Sequence, residues 1–178
     1  MARHLLITGR PGCGKTTIIR SIVGRLRESG HHVRGFWTEE VRQGGARTGF
    51  RIETVAGARG ILAAVGLRSP HRVGRYGVDL ESFESVGTAE IDAALEEARM
   101  GEPVILVIDE IGKMELFSAR FRRGVERAFR EVPHVVATIM QRPHPFADAL
   151  KRRPDVRLVT ATVQNRADLP AEALRQLL

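Results

Sequence analysis

Gly9-Arg10-Pro11-Gly12-Cys13-Gly14-Lys15-Thr16 carries glycine, lysine and threonine at the spacing G-x-x-x-x-G-K-[ST], the pattern of a loop that wraps phosphate groups. Glycines leave no side chain in the way, so backbone N–H groups can converge on phosphate oxygens. A helix that opens at the loop adds the partial positive charge of its N-terminus. Lys15 is placed to reach the β- and γ-phosphates of a nucleoside triphosphate, and the Thr16 hydroxyl to ligate Mg²⁺. Arg10 and Cys13 fill variable slots and are assigned no chemistry of their own.

A partner for that loop stands at Asp109-Glu110, directly after the apolar run Val104–Ile108. Ligands of open α/β sheets sit beyond the carboxyl ends of the strands, so Asp109 is expected to face the same crevice as Thr16. Its carboxylate can hold Mg²⁺ directly or through water. Glu110 is then placed to polarise a water for in-line attack on the γ-phosphate. A second acidic pair, Glu39-Glu40, ends the strand Val33–Thr38. If that strand neighbours Asp109's, Glu39 or Glu40 could be the water-activating base instead; Arg42 and Arg47 nearby equally suit a salt-bridged hairpin.

Elements must position these groups, and the period of the apolar residues alternates between strand-like and helix-like, as in an α/β fold. His4–Thr8 reads as a buried strand. Lys15–Glu28 reads as a helix with Ile18, Ile19, Ile22, Val23 and Leu26 on one face and Gly30 as its stop. Val33–Val41 and Thr48–Val55 form an expected antiparallel pair around the turn Gln43-Gly44-Gly45. With a further strand at Tyr76–Leu80, this makes a hairpin insertion around residues 38–80. Glycines break up residues 56–80, where little else is legible. Thr88–Met100 reads as a helix with Thr88 as N-cap. The continuous run Val104–Ile108 suits a parallel strand covered on both faces. Ser118–Arg130 is an amphipathic helix with Phe121, Val125 and Phe129 inward. Strands at His134–Met140 and Val156–Thr162 flank a short helix, Pro145–Arg152, and Pro170–Leu178 is a closing helix.

The chain has 178 residues, 43% hydrophobic and 28% charged, which fits one globular domain spanning 1–178. A chain of that size buries roughly 70% of its unfolded surface without staples. The lone cysteine excludes an internal disulfide framework and a multi-cysteine zinc site and suggests a reducing compartment. No apolar stretch reaches the ~18 residues of a membrane helix, and the N-terminus does not read as a signal peptide. A cytoplasmic monomer is expected. The net charge of +7 comes from 28 Lys and Arg, of which only Lys15, Lys113 and Lys151 are lysines. The arginines are spread along the chain and aromatics are 5%, so no basic-aromatic strip marks a nucleic-acid face.

Gly9–Thr16, Gly35-Phe36-Trp37-Thr38-Glu39-Glu40-Val41-Arg42 and above all Asp109-Glu110-Ile111-Gly112-Lys113-Met114-Glu115-Leu116 together resemble the cancer-related (thermophile-type) nucleoside triphosphatases. The likeness runs on through Arg152-Arg153-Pro154-Asp155-Val156 to Asn165-Arg166. A phosphate loop alone is shared by very many proteins; the D-E-I-G-K-M-E-L string is far more specific. The resemblance implies a P-loop NTPase with a RecA-like, mostly parallel central sheet flanked by helices. It implies Mg²⁺ dependence and slow hydrolysis of ATP, GTP and other triphosphates to diphosphate and phosphate. Nucleotide contacts are implied for Gly9, Arg10, Pro11, Gly12, Cys13, Gly14, Lys15, Thr16 and Thr17, and for the strand Ile105, Leu106, Val107, Ile108, Asp109, Glu110, Ile111 and Gly112. The family's base-contacting T-x-E-N-R element reads Thr162-Val163-Gln164-Asn165-Arg166 here, with Gln164 in place of the acid. Taken by residue type alone, Asn165-Arg166 is a polar turn after the last strand.

Two other functions fit parts of this pattern. Seven arginines between 42 and 75 (Arg42, Arg47, Arg51, Arg59, Arg68, Arg72, Arg75) could bind the acceptor of a small-molecule or nucleotide kinase. The positive charge could serve a nucleotide-switched RNA- or DNA-binding module. Glu110 beside Asp109 favours water as the acceptor, and nucleic acid is the less favoured partner. No arginine declares itself as a finger; Arg142, Arg152 and Arg153, which follow the strand His134–Met140, are the first candidates in cis.

Overall fold

The computed structural model describes residues 2–177. β1 (His4–Thr8) enters the glycine loop, and α1 (Lys15–Glu28) leaves it with Ile18, Ile19, Ile22, Val23 and Leu26 buried along one face. β2 (His32–Gln43) and β3 (Ala46–Thr54) form a hairpin through Gly44 and Gly45, both at positive φ, as a tight turn requires. β4 (Arg59–Val65), β5 (Arg72–Val73) and β6 (Tyr76–Val78) extend it antiparallel. β4 and β5 lie within the glycine-broken stretch, and the strand expected at Tyr76–Leu80 stops at Val78.

Helix begins earlier than the expected Thr88. Asp79 caps α2 (Leu80–Phe83) by accepting from the Ser82 N–H at 2.9 Å, and a π-turn over Glu84–Thr88 runs straight into α3 (Ala89–Arg99). Thr88 is therefore interior, fully buried and helical rather than a cap. Gly87 lets the turn close against Phe83 and Phe36: an added Cβ would lie 3.0 Å from Phe83.

β7 (Val104–Ile111) carries on past Ile108 through both acidic residues, with a cis peptide bond between Asp109 and Glu110. Ser118 caps α4 (Ala119–Glu131) by accepting from the Phe121 N–H. β8 (His134–Ile139), α5 (Pro145–Lys151), β9 (Val156–Thr160) and α6 (Leu169–Leu177) complete the order. Leu178, expected as the end of the last helix, lies outside the described residues. Among the described residues no helix is long and apolar enough to cross a membrane.

Among the described residues, nine strands join one sheet in the order β5-β6-β4-β3-β2-β7-β8-β1-β9. β2, β7, β8, β1 and β9 are mutually parallel, and the β3 side is antiparallel, so the sheet is α/β and mostly parallel at its centre. One face packs on α1 and α6 through residues such as Ile19, Val107 and Leu169. The other packs on α3 and α4 through Phe36, Phe83, Phe121 and Phe129. Burying both faces accounts for the unbroken apolar run in β7. β2 and β7 approach so closely that a Cβ on Gly35 would stand 1.8 Å from the Val107 carbonyl oxygen.

Candidate active site

Gly14, whose φ of 97° only glycine adopts freely, stands at the N-cap of α1, and no side chain caps the helix. The first-turn N–H groups of α1 are thus unspent and face the loop. The Lys15 Nζ reaches back across the loop to the carbonyls of Gly9 at 2.8 Å and Arg10 at 3.2 Å. Gly9 has no room for a side chain, since a Cβ would sit 2.7 Å from the Ala161 carbonyl.

The strand order brings β7 and β1 to either side of β8, with their C-terminal ends together. Asp109, 2% exposed, accepts from Thr16 Oγ1 at 2.6 Å and from Thr138 Oγ1 at 2.5 Å. Burial pushes its carboxyl above the usual range, while bonds from Thr138, Thr16 and the Thr38 backbone oppose that. Thr138 is absent from the sequence-based site. Its signal is a hydroxyl near the end of an otherwise apolar strand, and the register Ile7↔Thr138 and Ile108↔Ala137 sets it between the two.

Glu110 follows where the β7–β8 register slips between Ile108 and Ile111, an irregularity of the kind that re-aims side chains beside active sites. Burial first, and the charge of Asp109 second, raise its carboxyl. Glu115, which the sequence presents only as part of the family string, is 3% exposed, and burial and then Glu110 hold its carboxyl well above the carboxylate range.

A cleft of about 430 Å³ unites Pro11, Gly12, Gly14, Lys15, Thr16, Thr17, Asp109 and Glu110 with Thr38, Glu40, Arg47 and Phe50 from the hairpin. β2 does neighbour β7, so the condition for a base on the adjacent strand is met. The two hairpin acids nonetheless differ. Glu39 is paired with Arg20 and Arg51 and does not line the cleft. Glu40 lines it, but its oxygens accept from Arg47 and Arg42, which hold its carboxyl below the usual range.

Ile105, Leu106, Val107, Ile108 and Ile111 are packed in the two cores, so their contribution to the site is the position of Asp109 rather than contact with a ligand. A neighbouring hollow of about 510 Å³ is lined by Gly14, Thr17, Ile18, Ser21, Arg166, Ala167 and Pro170. Arg166 stands beside the phosphate loop there, its guanidinium 3.6 Å from where a Cβ on Gly14 would lie. The Asn165 carboxamide instead closes its own turn, with bonds to the Thr162 N–H and the Thr160 carbonyl. Arg153 bonds Asp155 and the Phe129 carbonyl and lines a different groove, and neither Arg142 nor Arg152 lines the cleft.

The adjacent Thr16 hydroxyl and Asp109 carboxylate are hard oxygen donors, and among the described residues no group of three or more His, Cys, Asp or Glu forms a metal cage. That donor set fits Mg²⁺, which keeps waters and shares phosphate oxygens rather than filling an all-protein cage.

A family model described as NTPase matches residues 4–174. The chain is 44% identical over 173 residues to nucleoside-triphosphatase THEP1 of Thermotoga sp. (strain RQ2), covering 97% of this chain and 94% of that one. It is 42% identical over 178 residues to the cancer-related nucleoside-triphosphatase of Homo sapiens, covering 95% and 93%. The crystal structure of THEP1 from Aquifex aeolicus superposes with a TM-score of 0.88 at 40% identity, covering 98% of each chain.

Proposed function

This chain belongs to the nucleoside-triphosphatase family, and from that premise we propose a Mg²⁺-dependent, slow phosphohydrolase with broad base preference. The observation that carries the site assignment is the 2.6 Å bond from Thr16 to Asp109, which joins the phosphate loop to the acidic strand end inside one cleft.

The loop N–H groups and Lys15 bind the β- and γ-phosphates. Mg²⁺, held by Thr16 and Asp109, would neutralise charge shared by those phosphates. Glu110 orients a water and takes its proton as the water oxygen bonds to the γ-phosphorus. The β–γ bridging P–O bond breaks, its electrons pass to the diphosphate, and Lys15 meets the charge that develops there. Glu110 is preferred to Glu40 because Glu40's oxygens are committed to two guanidinium groups. Among the described residues no such ion pair engages Glu110. Breadth toward the base is supported by the engagement of Asn165 in its own turn, which leaves Arg166 to stack without reading a base edge. Slow turnover, about 10⁻⁴ to 10⁻² per second, is the range of P-loop enzymes working without a partner.

Phosphate release from ATP, GTP, CTP and UTP with Mg²⁺, with and without small acceptors and RNA, tests this reading. Free phosphate without acceptor or RNA from all four is the expected result. Release that requires an acceptor points to a kinase, and release that requires RNA to a nucleic-acid-switched module; either overturns the hydrolase.

A further inference from the structure

Of the residues lining the phosphate cleft, two are cations: Lys15 on the loop and Arg47 on β3. Arg47 is built in, not loosely draped. Its guanidinium lies 5.2 Å from the Phe50 ring centroid and 5.6 Å from that of Tyr76, and its Nε donates to Tyr76 Oη at 2.9 Å. The backbone is held as well, since Arg75 donates to the Arg47 carbonyl.

The acidic partner of Arg47 is a replaceable one. Nη1 donates to Glu40 Oε1 at 2.9 Å, in an ion pair whose side chains are 42% and 41% exposed. Exposed pairs of this kind are weak, whereas a phosphoryl group offers a guanidinium charged, forked acceptor oxygens. Glu40 would not be left bare by the exchange, because Arg42 donates to its other oxygen through both Nε and Nη2.

Resting on the hydrolase reading above, we propose that Arg47 is a catalytic guanidinium supplied in cis. It leaves Glu40 and bonds the γ-phosphoryl oxygens as the bridging P–O bond breaks, with Phe50 and Tyr76 as its platform. Glu40 is then a positioning residue, shared between Arg42 and Arg47, that holds the guanidinium at the mouth of the cleft.

The test measures kcat, affinity for a non-hydrolysable triphosphate and trapping of ADP with aluminium fluoride, which mimics the γ-phosphoryl in flight. Arg47→Ala is expected to lower kcat about 10²- to 10³-fold, the scale for loss of one preorganised donor. Affinity for the non-hydrolysable triphosphate stays within about threefold while the fluoride complex is lost. Arg59→Ala, on the same antiparallel extension but paired with Glu53 outside the cleft, is expected to behave as wild type. Arg47→Lys keeps the charge without the planar fork and should fall between, which preserves the test if the alanine variant folds poorly. A kcat for Arg47→Ala within threefold of wild type, or a retained fluoride complex, overturns the proposal. Wild-type phosphate release without acceptor reports separately on the hydrolase reading, so the two can fail independently.

Discussion

A Cβ on Gly112 would stand 2.7 Å from Oε1 of Glu110, and 3.0 Å from Oε2 of Glu115. The nearest atom is the far end of a flexible side chain, so the carboxylate would yield more readily than the backbone. Gly112→Ala is expected to shift Glu110 within the cleft, lowering kcat at least about tenfold with little change in nucleotide affinity or melting temperature. Misplaced catalytic groups cost rate on this scale without costing binding. Steady-state kinetics with a parallel melt checks it, and an unchanged kcat would show that Glu110's placement is immaterial.

On the proposed reading, Lys15→Ala removes the cation that meets the β/γ oxygens. A loss of about 3–4 kcal/mol of transition-state stabilisation is expected, so turnover nearly disappears. Among the described residues the hydrogen bonds of Lys15 Nζ go to the loop carbonyls of Gly9 and Arg10, so the fold should persist. Phosphate release, alongside circular dichroism, distinguishes a dead site from an unfolded chain.

The four carboxylates near the cleft should separate by role. Glu110→Gln retains nucleotide but loses about 10²- to 10⁴-fold in hydrolysis, as for removal of a general base. Asp109→Asn weakens Mg²⁺ binding and is partly rescued by raising the metal concentration. Glu39→Gln turns over at near the wild-type rate, since Glu39 is held by Arg20 and Arg51 outside the cleft, while Glu40→Gln, which loosens the hold on Arg47, falls by less than Glu110→Gln. kcat and nucleotide Kd at two Mg²⁺ concentrations decide it. Normal binding without hydrolysis in Glu40→Gln, with an active Glu110→Gln, would move the base to β2.

Glu115 should make stability depend on pH. Its folded-state pKa lies well above its unfolded value, so the folded chain holds a proton that the unfolded chain releases. The stabilisation is fully present below the unfolded glutamate range and is lost as pH rises through the folded-state value. Glu115→Gln, which cannot ionise, is expected to flatten that decline. Denaturant midpoints from pH 4 upward provide the measurement; parallel curves for the two proteins would refute it.

The phosphate loop, its helix and the acid at the end of β7 were legible along the chain because each depends on contiguous residues. A phosphate cradle is a run of backbone N–H groups, and a doubly covered strand is a run of apolar side chains. The family string around Asp109 added the expectation of triphosphate hydrolysis. Between 56 and 75 little was legible: β5 has only two residues, and glycines at 57, 60, 66 and 74 interrupt the apolar period around β4, whose pairing is with β3 and β6. Thr88 misled for a related reason. A threonine before an apolar helical period marks a cap only if the chain arrives extended, and here it arrives already helical from Asp79. Strand order and burial bring Thr138 to Asp109, Arg47 into the cleft lining and Glu115 close to Glu110, residues far apart in sequence. No spacing rule can report that β8 lies between β1 and β7, or that the hairpin turns Arg47 toward Lys15's cleft while Arg51 turns to Glu39. Local chemistry determines what each segment can bind; the packing of the sheet decides which side chains share the space.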